Sequence, residues 1–507
     1  MKKTVLLLMI ITILSKLLGF ARDLTLSYFF GVSNITDAYF ISNTIPTVIF
    51  GFIGTAIATG YIPIYQEILN NETKERALKF TSNLLNFSLL MSTIIILFGF
   101  LFTEDLVNIF ASGFDNKTQE IAKMLTRINL FSIYFTSAIY IFSGFLNINK
   151  NFITTALRSI PFNIITIIFI FISYITDNVL FLAYGFIIGM ISQLILLFPP
   201  LKKGGFKYSL ELNRKDKYFK KIIRFSLPVL IGVSITQINT LVDRTMASQF
   251  GSGGISSLMY ANIVYLFIEG IIVTTIVTVV FPSMSNAFEK KDMDNFKDLF
   301  SKSVIYILIF MIPISAGALI FSKQVILLLF GRGAFNMAAI EMTSNVLFYY
   351  AIGMVGFALR EVISRAFYAL KDTKSVLYNA SLALILNIIL NIILSRYIGI
   401  SGLALATSIS GFVASILLGI RLQSKTKGLW NKHLVKTFLK ILIATIIMAI
   451  VVKGIFYNLT NFAGESGALL ISILLGAIVY AILIIFMKIK EVNDLLVNLK
   501  MKLLERQ

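Results

Sequence analysis

The stretch from Asn178 to Pro200, NVLFLAYGFIIGMISQLILLFPP, contains no charged residue. A helix rises about 1.5 Å per residue, so a stretch of this length can cross the ~30 Å of hydrocarbon in a bilayer. Similar apolar stretches recur along the whole chain, and the strict alternation of apolar and polar residues that a membrane β-barrel needs is absent. The sequence therefore indicates an all-α integral membrane protein.

Working outward from this stretch, we predict fourteen transmembrane helices. They lie near residues 4–30, 37–65, 79–103, 124–148, 152–176, 178–200, 222–249, 256–285, 299–322, 340–369, 375–397, 400–422, 435–457 and 466–488. The composition agrees, since only 14% of the residues are charged and a soluble domain contains about a quarter.

The net charge of +20 would suggest a nucleic-acid partner in a soluble protein. Here most positive residues lie in short connections between spans, so anionic lipid headgroups are the expected counter-charge and no nucleic acid is expected. The chain has no cysteine, which excludes disulfides and thiolate chemistry. We interpret its one histidine, His433, as a loop residue.

The connections alternate in charge along the chain. One set is basic and contains Lys74 and Arg76, Lys150, the run from Lys202 to Lys221, Lys290 and Lys291, Lys371 and Lys374, and Lys425 and Lys427. The other set is short or acidic and contains Glu104 and Asp105, Asp177, Gly251 to Gly254, and Glu465. Because basic connections stay in the cytoplasm, an even number of spans with both termini cytoplasmic fits this pattern.

The two halves of the chain show a weak internal repeat of about 220 residues. Ala21-Arg22-Asp23 is echoed by Val242-Asp243-Arg244. We expect a six-helix lobe at 1–200, a basic cytoplasmic linker at 201–221, a second six-helix lobe at 222–422, and two further helices with a cytoplasmic tail at 423–507. Two such lobes with a midplane cavity are the usual layout of an alternating-access transporter.

Charged residues inside spans are costly and indicate function by default. They are Lys16, Arg22, Asp23, Asp37, Arg158, Asp243, Arg244, Glu269, Arg360, Glu361 and Arg365. Helix geometry separates Lys16 and Arg22 by about 120° and Arg360 and Arg365 by about 140°, so one broad cavity face could present either pair. Guanidinium groups suit a phosphate-bearing headgroup. The alternatives are structural ion pairs and side chains that reach the interface.

A second set of polar residues is rich in oxygen. Asp243, Asn387, Asn391 and Thr407 fall on three predicted helices, and Asn387 and Asn391 share one helix face. A carboxylate with amide and hydroxyl oxygens suits a hard cation such as Na⁺. The alternative is hydrogen bonding between helices, which Asn and Thr commonly provide in membranes.

Six stretches resemble the MurJ (MviN) lipid II flippases, a branch of the multidrug, oligosaccharidyl-lipid and polysaccharide exporter superfamily. The two most specific are residues 15–23, SKLLGFARD, and residues 365–373, RAFYALKDT. The other four are residues 36–40, 242–244, 260–262 and 331–335. The similarity covers essentially the whole chain.

The resemblance implies transport of lipid II, the undecaprenyl-diphosphate-linked disaccharide-pentapeptide, across the bacterial cytoplasmic membrane, with no catalytic residue. It also implies a central cavity lined by cationic residues. Arg22, Asp23 and Asp37 match family positions of this cavity directly, and Lys16 replaces the usual arginine and keeps its charge. Two positions depart from the family, because Gly51 and Ile263 stand where many members have arginine.

We therefore take Arg244, Arg360 and Arg365 as further candidate substrate contacts that could replace the missing cations. In the candidate Na⁺ site, Asn391 stands where the superfamily resemblance implies an aspartate, which would weaken cation binding.

Three other functions compete with this one. An exporter of another polyprenyl-linked saccharide or of a drug would share the fold. A membrane glycosyltransferase would need catalytic carboxylates in a substantial loop, but the longest connection, 200–221, is rich in lysine. A structural scaffold would leave the charges within the spans unexplained. No GxxxxGK[ST] motif is present, which argues against direct hydrolysis of ATP.

The topology can be checked by cysteine labelling, because any introduced cysteine would be the single thiol of the chain. Cysteines at Asn116 and Ser252 should react with an impermeant reagent from outside the cell. A cysteine at Asn213 should react only after permeabilisation. Labelling of the Asn213 variant in intact cells would overturn the orientation.

Overall fold

The computed structural model describes residues 2–430 and 432–494, without side-chain detail at 2–6, 53, 55, 56, 58, 227–229 and 231. Within this part of the chain the regular structure consists of sixteen helices. The first eight are α1 Lys2–Phe30, α2 Asn34–Asn71, α3 Lys74–Leu101, α4 Thr103–Phe110, α5 Asn116–Asn129, α6 Ser132–Ile148, α7 Phe152–Leu157 and α8 Ser159–Thr176. The others are α9 Leu180–Lys203, α10 Lys217–Ser248, α11 Gly254–Glu289, α12 Met293–Phe330, α13 Met337–Ala369, α14 Thr373–Ile398, α15 Ser401–Thr426 and α16 Lys432–Phe486.

The helices are those of a multi-pass membrane protein. Among the described residues, nine helical segments are long and apolar enough to cross a bilayer, and α5 with α6, bent by 41°, forms a tenth candidate. Helix α16 has 55 residues and a break at Gly464, where φ is +66°. It therefore covers the last two predicted transmembrane helices. The predicted fold class is confirmed. The number fourteen stays a prediction, and residues 495–507 of the predicted tail lie outside the described residues.

The first compact unit comprises Met1–Met259 and Arg332–Ala339. Part of its core is aromatic, where Tyr61 stacks on Phe80 with ring centroids 6.2 Å apart and Tyr65 meets the edge of Phe145. Helix α10 belongs to this unit and packs along α2, as the buried Ile222 beside Gly60 illustrates. The predicted boundaries of the two six-helix lobes remain predictions.

The second compact unit comprises Tyr260–Gly331 and Ile340–Gln507. Helix α16 packs against α12 through a small buried cluster that includes Phe321, Met448 and Leu469. The Tyr480 hydroxyl donates to the Ile309 carbonyl at 2.7 Å. This bond satisfies a polar group that would be costly to leave unpaired in hydrocarbon.

The same turn joins consecutive helices at three places. In each, a lysine with positive φ ends one helix and the next residue, Asn or Asp, caps the following helix: Lys150 with Asn151, Lys291 with Asp292, and Lys371 with Asp372. The backbone bonds are those of a Schellman motif, in which the capping residue donates to the carbonyl five positions earlier. Asn151 and Asp372 are 221 positions apart, close to the predicted repeat length.

Asp372 illustrates the energetics of these turns. Its carboxylate accepts the backbone N–H of Ser375 at 3.0 Å and forms an ion pair with Lys425 at the end of α15. Partial burial by itself would raise the pKa of Asp372, but the hydrogen bonds from Lys425 and Ser375 lower it to about 2. The cap is therefore ionised throughout the neutral range.

Replacing Asp372 by alanine should lower the free energy of unfolding by about 1 kcal/mol, the usual effect of losing a helix cap. Because the folded-state pKa lies below the ordinary 3.8, this stabilisation is complete above that value and is lost only as the pH falls towards 2. The loss of thermal stability in detergent should therefore be equal at about pH 5.5 and about pH 8. The control is Lys374→Ala, an exposed residue of the same turn, and a similar loss there would contradict the role of the cap.

Candidate functional site

An ion pair between adjacent residues lies within α1. The Nε and Nη2 atoms of Arg22 donate to Oδ1 of Asp23 at 2.9 and 2.8 Å. The Arg22 side chain is 26% exposed, whereas Asp23 is buried. Since a lone charge in an apolar interior is costly, the carboxylate holds the guanidinium in place while leaving part of it accessible.

Helix α8 completes the surroundings of this pair. Nη1 of Arg22 donates to Oδ1 of the buried Asn163 at 3.4 Å, and its guanidinium lies over the Phe162 ring at 5.8 Å. The Asn163 amide donates in turn to the Ser15 carbonyl at 3.5 Å. Asn163 thus links α8 to the face of α1 that carries Arg22.

Two further positions of the first unit are ones at which the family resemblance implies a cation in the cavity. Lys16 is half-buried on α1, a turn and a half before Arg22. Gly51 on α2 lies directly under Gln237 of α10, and a Cβ atom at Gly51 would be 2.4 Å from Nε2 of Gln237. A longer side chain at position 51 would therefore have to displace the end of this glutamine side chain.

Asp37 has a different environment from Arg22. It is 1% exposed, and its two carboxylate oxygens accept the backbone N–H groups of Gly253 and Ser256, each at 2.7 Å. These groups lie at the start of α11, so Asp37 satisfies the free amides of a helix that lies 216 residues or more further along the chain. Its predicted contact with substrate stays a prediction.

Helix α10 carries the remaining predicted residues of the first unit. Oδ2 of the half-buried Asp243 accepts from the Asn239 amide at 3.2 Å, one turn earlier. Arg244 is 9% exposed. Arg244 is therefore much less accessible than Arg22.

In the second unit, α13 carries a charged and aromatic surface. Arg365 donates to Oε1 of Glu361 through Nε at 3.0 Å and Nη2 at 2.5 Å. Arg360 lies over the Phe357 ring at 5.8 Å, and Phe357 contacts Tyr265 of α11. Both predicted arginines of α13 are half-buried, Arg365 in an ion pair and Arg360 over an aromatic ring.

The predicted oxygen cluster divides between the units. In the second unit Asn391 donates to Oδ1 of Asn387 at 3.1 Å, and Asn387 donates to Thr407 at 3.2 Å, so α14 and α15 are joined by a chain of hydrogen bonds. Asp243 belongs to the first unit. Within the described ranges no group of three or more His, Cys, Asp or Glu side chains is close enough to hold a metal ion. The arrangement of Asn387 and Thr407 fits bonding between helices, and Na⁺ binding stays a prediction.

Two residues of this region were not identified from the sequence, namely Asn163 and Gln237. Each is an amide side chain in an apolar helix, which is a weak signal because such residues commonly bond between helices. Asn163 follows Pro161 in α8, but nothing in its local sequence indicates that its partner is Arg22.

Comparisons with known proteins agree over nearly the whole chain. The family model described as lipid II flippase MurJ matches residues 26–478. The lipid II flippase MurJ of Thermosipho africanus is 32% identical over 475 residues, which cover 93% of this chain and 94% of the relative. A probable lipid II flippase MurJ of Thermotoga maritima is 29% identical over 489 residues, which cover 96% of each.

Solved structures show the same similarity. A lipid II flippase MurJ in an inward closed conformation matches with a TM-score of 0.82 at 31% identity, covering 94% of this chain and 98% of that one. An inward-facing multidrug resistance transporter of the MATE family matches with a TM-score of 0.68 at 14% identity, covering 82% and 95%. At that identity the second match shows a shared fold alone.

The role of Asp37 can be tested by Asp37→Asn. This change places an amide donor where a carboxylate oxygen accepts a buried N–H, so it should lower the free energy of unfolding by about 1–3 kcal/mol. Melting of the purified protein measures the effect, with Asp105→Asn as an exposed control. If Asp37 served substrate alone, the variant would melt like the parent protein and lose only transport.

Proposed function

Because this chain belongs to the MurJ family of lipid II flippases, we propose that it carries lipid II from the inner to the outer leaflet of the bacterial cytoplasmic membrane by alternating access. The family resemblance expected from the sequence motifs is confirmed. The substrate is an undecaprenyl-diphosphate-linked disaccharide-pentapeptide, and its partners in the proposal are membrane lipids. The relatives are named as flippases, and we propose no catalytic residue.

The observation that carries the proposal is the Arg22–Asp23 pair on α1. A diphosphate cannot enter a low-dielectric region without a counter-charge, since a bare anion there is prohibitively costly. Arg22 offers a partly exposed guanidinium within an apolar helix. Arginine suits this task because its planar fork of donors matches the oxygens of a phosphate.

The geometry of the pair suggests how the headgroup is held and released. Arg22 directs two of its nitrogens to a single oxygen of Asp23, so a phosphate could take over one of these bonds while Asp23 keeps the other. Asp23 then balances the arginine whenever substrate is absent, and no unpaired charge has to stay in the membrane. Binding becomes an exchange of one anion for another, which limits the energetic cost of both loading and release.

In the proposal, other cations also contact the anionic headgroup. Lys16 lies on the same helix as Arg22, and Arg360 and Arg365 are half-buried on α13. Gln237 fills the space above Gly51, so at this position an amide takes the place of a guanidinium. An amide can donate to a phosphate or sugar oxygen without adding charge.

The localisation in the proposal follows from the family and the charge pattern. We place the chain in the cytoplasmic membrane with both termini in the cytoplasm, because its basic connections follow the positive-inside rule. The relatives are bacterial proteins.

The test is complementation of a bacterial strain depleted of its own lipid II flippase. The parent chain should restore growth. Arg22→Lys keeps the charge but loses the fork, so it should restore growth partially, and Arg22→Ala should fail while remaining abundant in the membrane. Growth supported normally by Arg22→Ala would refute the assignment.

A double variant separates binding from folding. Arg22→Ala alone leaves Asp23 buried and unpaired, which could reduce membrane abundance by itself. Arg22→Ala with Asp23→Ala removes the whole pair and should regain any lost abundance without regaining function. Recovery of growth in the double variant would mean that the pair is structural. Arg127→Ala, an exposed cation of α5, is the matched control and should grow normally.

A further inference from the structure

A lateral pocket of about 550 Å³ lies in the first unit between α2, α3 and α10. Its walls include Leu84, Phe87 and Met91 of α3 and Phe219, Ile223 and Leu230 of α10. None of its lining residues belongs to α1 or α8, the helices that carry Arg22 and Asn163. Gly51 and Gln237 do not line it either, so the lateral pocket contains none of the residues assigned to the headgroup.

The chemistry of the pocket is almost entirely apolar, with one exception. Arg214 is the one charged residue among those that line it, and its guanidinium lies over the Phe87 ring at 5.9 Å. Within residues 2–430 and 432–494, which the structure describes, Arg214 takes part in no ion pair. An apolar cavity with one cation at its edge matches an amphipathic anion, whose tail enters the cavity and whose charge stays at the rim.

The backbone on both sides of Arg214 is held firmly. Asn213 exchanges two hydrogen bonds with the side chain of Asn83, its N–H donating at 2.7 Å and its carbonyl accepting at 3.1 Å. Two residues after Arg214, the buried Asp216 caps α10 and pairs with Arg76. The backbone at Arg214 is thus held in a fixed position, so only the arginine side chain has to be ordered when it binds a ligand.

The surroundings of the pocket favour lipid over a soluble ligand. The segment before Arg214 turns Leu210 outward with 89% of its surface exposed, and Met91 and Ile223 at the pocket are 45% and 51% exposed. Exposed apolar groups of this kind mark a surface that contacts a membrane or a partner. Met91 lies on α3, which is long and apolar enough to span a bilayer, so acyl chains are the expected neighbours of this surface.

We propose that the lateral pocket binds an anionic membrane phospholipid, with one acyl chain between α3 and α10 and the headgroup phosphate on Arg214. The charge favours this occupant, since Arg214 is the one charged side chain among the described residues that line the pocket, and none of them is a carboxylate. Because the segment is predicted to be cytoplasmic, the lipid belongs to the inner leaflet. Its binding ties the start of α10 to α3 and does not depend on transport of lipid II.

The test uses purified full-length protein and phosphatidylglycerol that carries a photoreactive diazirine on one acyl chain. After illumination, peptides covering residues 84–91 and 219–230 should carry the label. Phosphatidylcholine with the same modified chain should label them much less, because its headgroup has no net charge. Equal labelling by both lipids would overturn the proposal.

Two variants examine the two halves of the site. Arg214→Gln should reduce labelling by phosphatidylglycerol about tenfold, the effect of losing one hydrogen bond to a charged group. Ile223→Trp fills the mouth of the pocket from an exposed position and should abolish labelling by either lipid. Both variants should keep the melting temperature of the parent protein in detergent, since neither residue is buried.

Matched controls exclude surface effects. Lys215→Gln removes a charge next to Arg214, and Leu97→Trp enlarges an exposed residue two turns further along α3. Neither residue lines the pocket, so labelling should stay within about twofold of the parent value. Equal losses in Arg214→Gln and Lys215→Gln would refute the site, as would displacement of the label by undecaprenyl diphosphate but not by unlabelled phosphatidylglycerol.

Discussion

The cost of an unsatisfied polar group in hydrocarbon is the constraint on which this structure depends. In a bilayer every backbone N–H and C=O must bond within the protein, so a spanning segment has to be helical. The same constraint acts where helices end, because four N–H groups are left open at the N-terminus of a helix and four carbonyls at its C-terminus. The chain meets it with repeated turns in which a lysine of positive φ precedes an Asn or Asp cap, as at Lys371 and Asp372.

Charged side chains within the spans also need partners, and the kind of partner distinguishes two kinds of role. Both carboxylate oxygens of Asp37 accept backbone N–H groups at the start of α11. Arg22, in contrast, is balanced by its neighbour Asp23 and remains partly exposed. A charge that is neutralised yet accessible can exchange its partner for a ligand, whereas one that is buried and saturated supports the fold.

One departure from the family pattern, Gly51, can be described by its neighbour in the structure. Gly51 is accommodated by Gln237, whose amide lies where a side chain at position 51 would begin. Compared with the arginine that the family resemblance implies at this position, glycine removes a positive charge near α2, while Gln237 provides a hydrogen-bond donor there. In the proposed function the positive charge around the headgroup therefore rests more heavily on α1, where Arg22 and Lys16 lie.

The sequence by itself determined the fold class, the positions of most helices and the family, because hydropathy and helical period are properties of one segment at a time. It also indicated Arg22 with Asp23, which are adjacent in the chain. It could not identify Asn163 as a partner of Arg22, nor Gly253 and Ser256 as partners of Asp37, since these pairs are separated by 141, 216 and 219 positions. Only the packing of helices decides which distant donors meet, because each buried polar group bonds to whatever the neighbouring helix presents. The tertiary structure likewise decided that Asn387 and Thr407 bond to each other and that α3 and α10 enclose an apolar pocket beside Arg214.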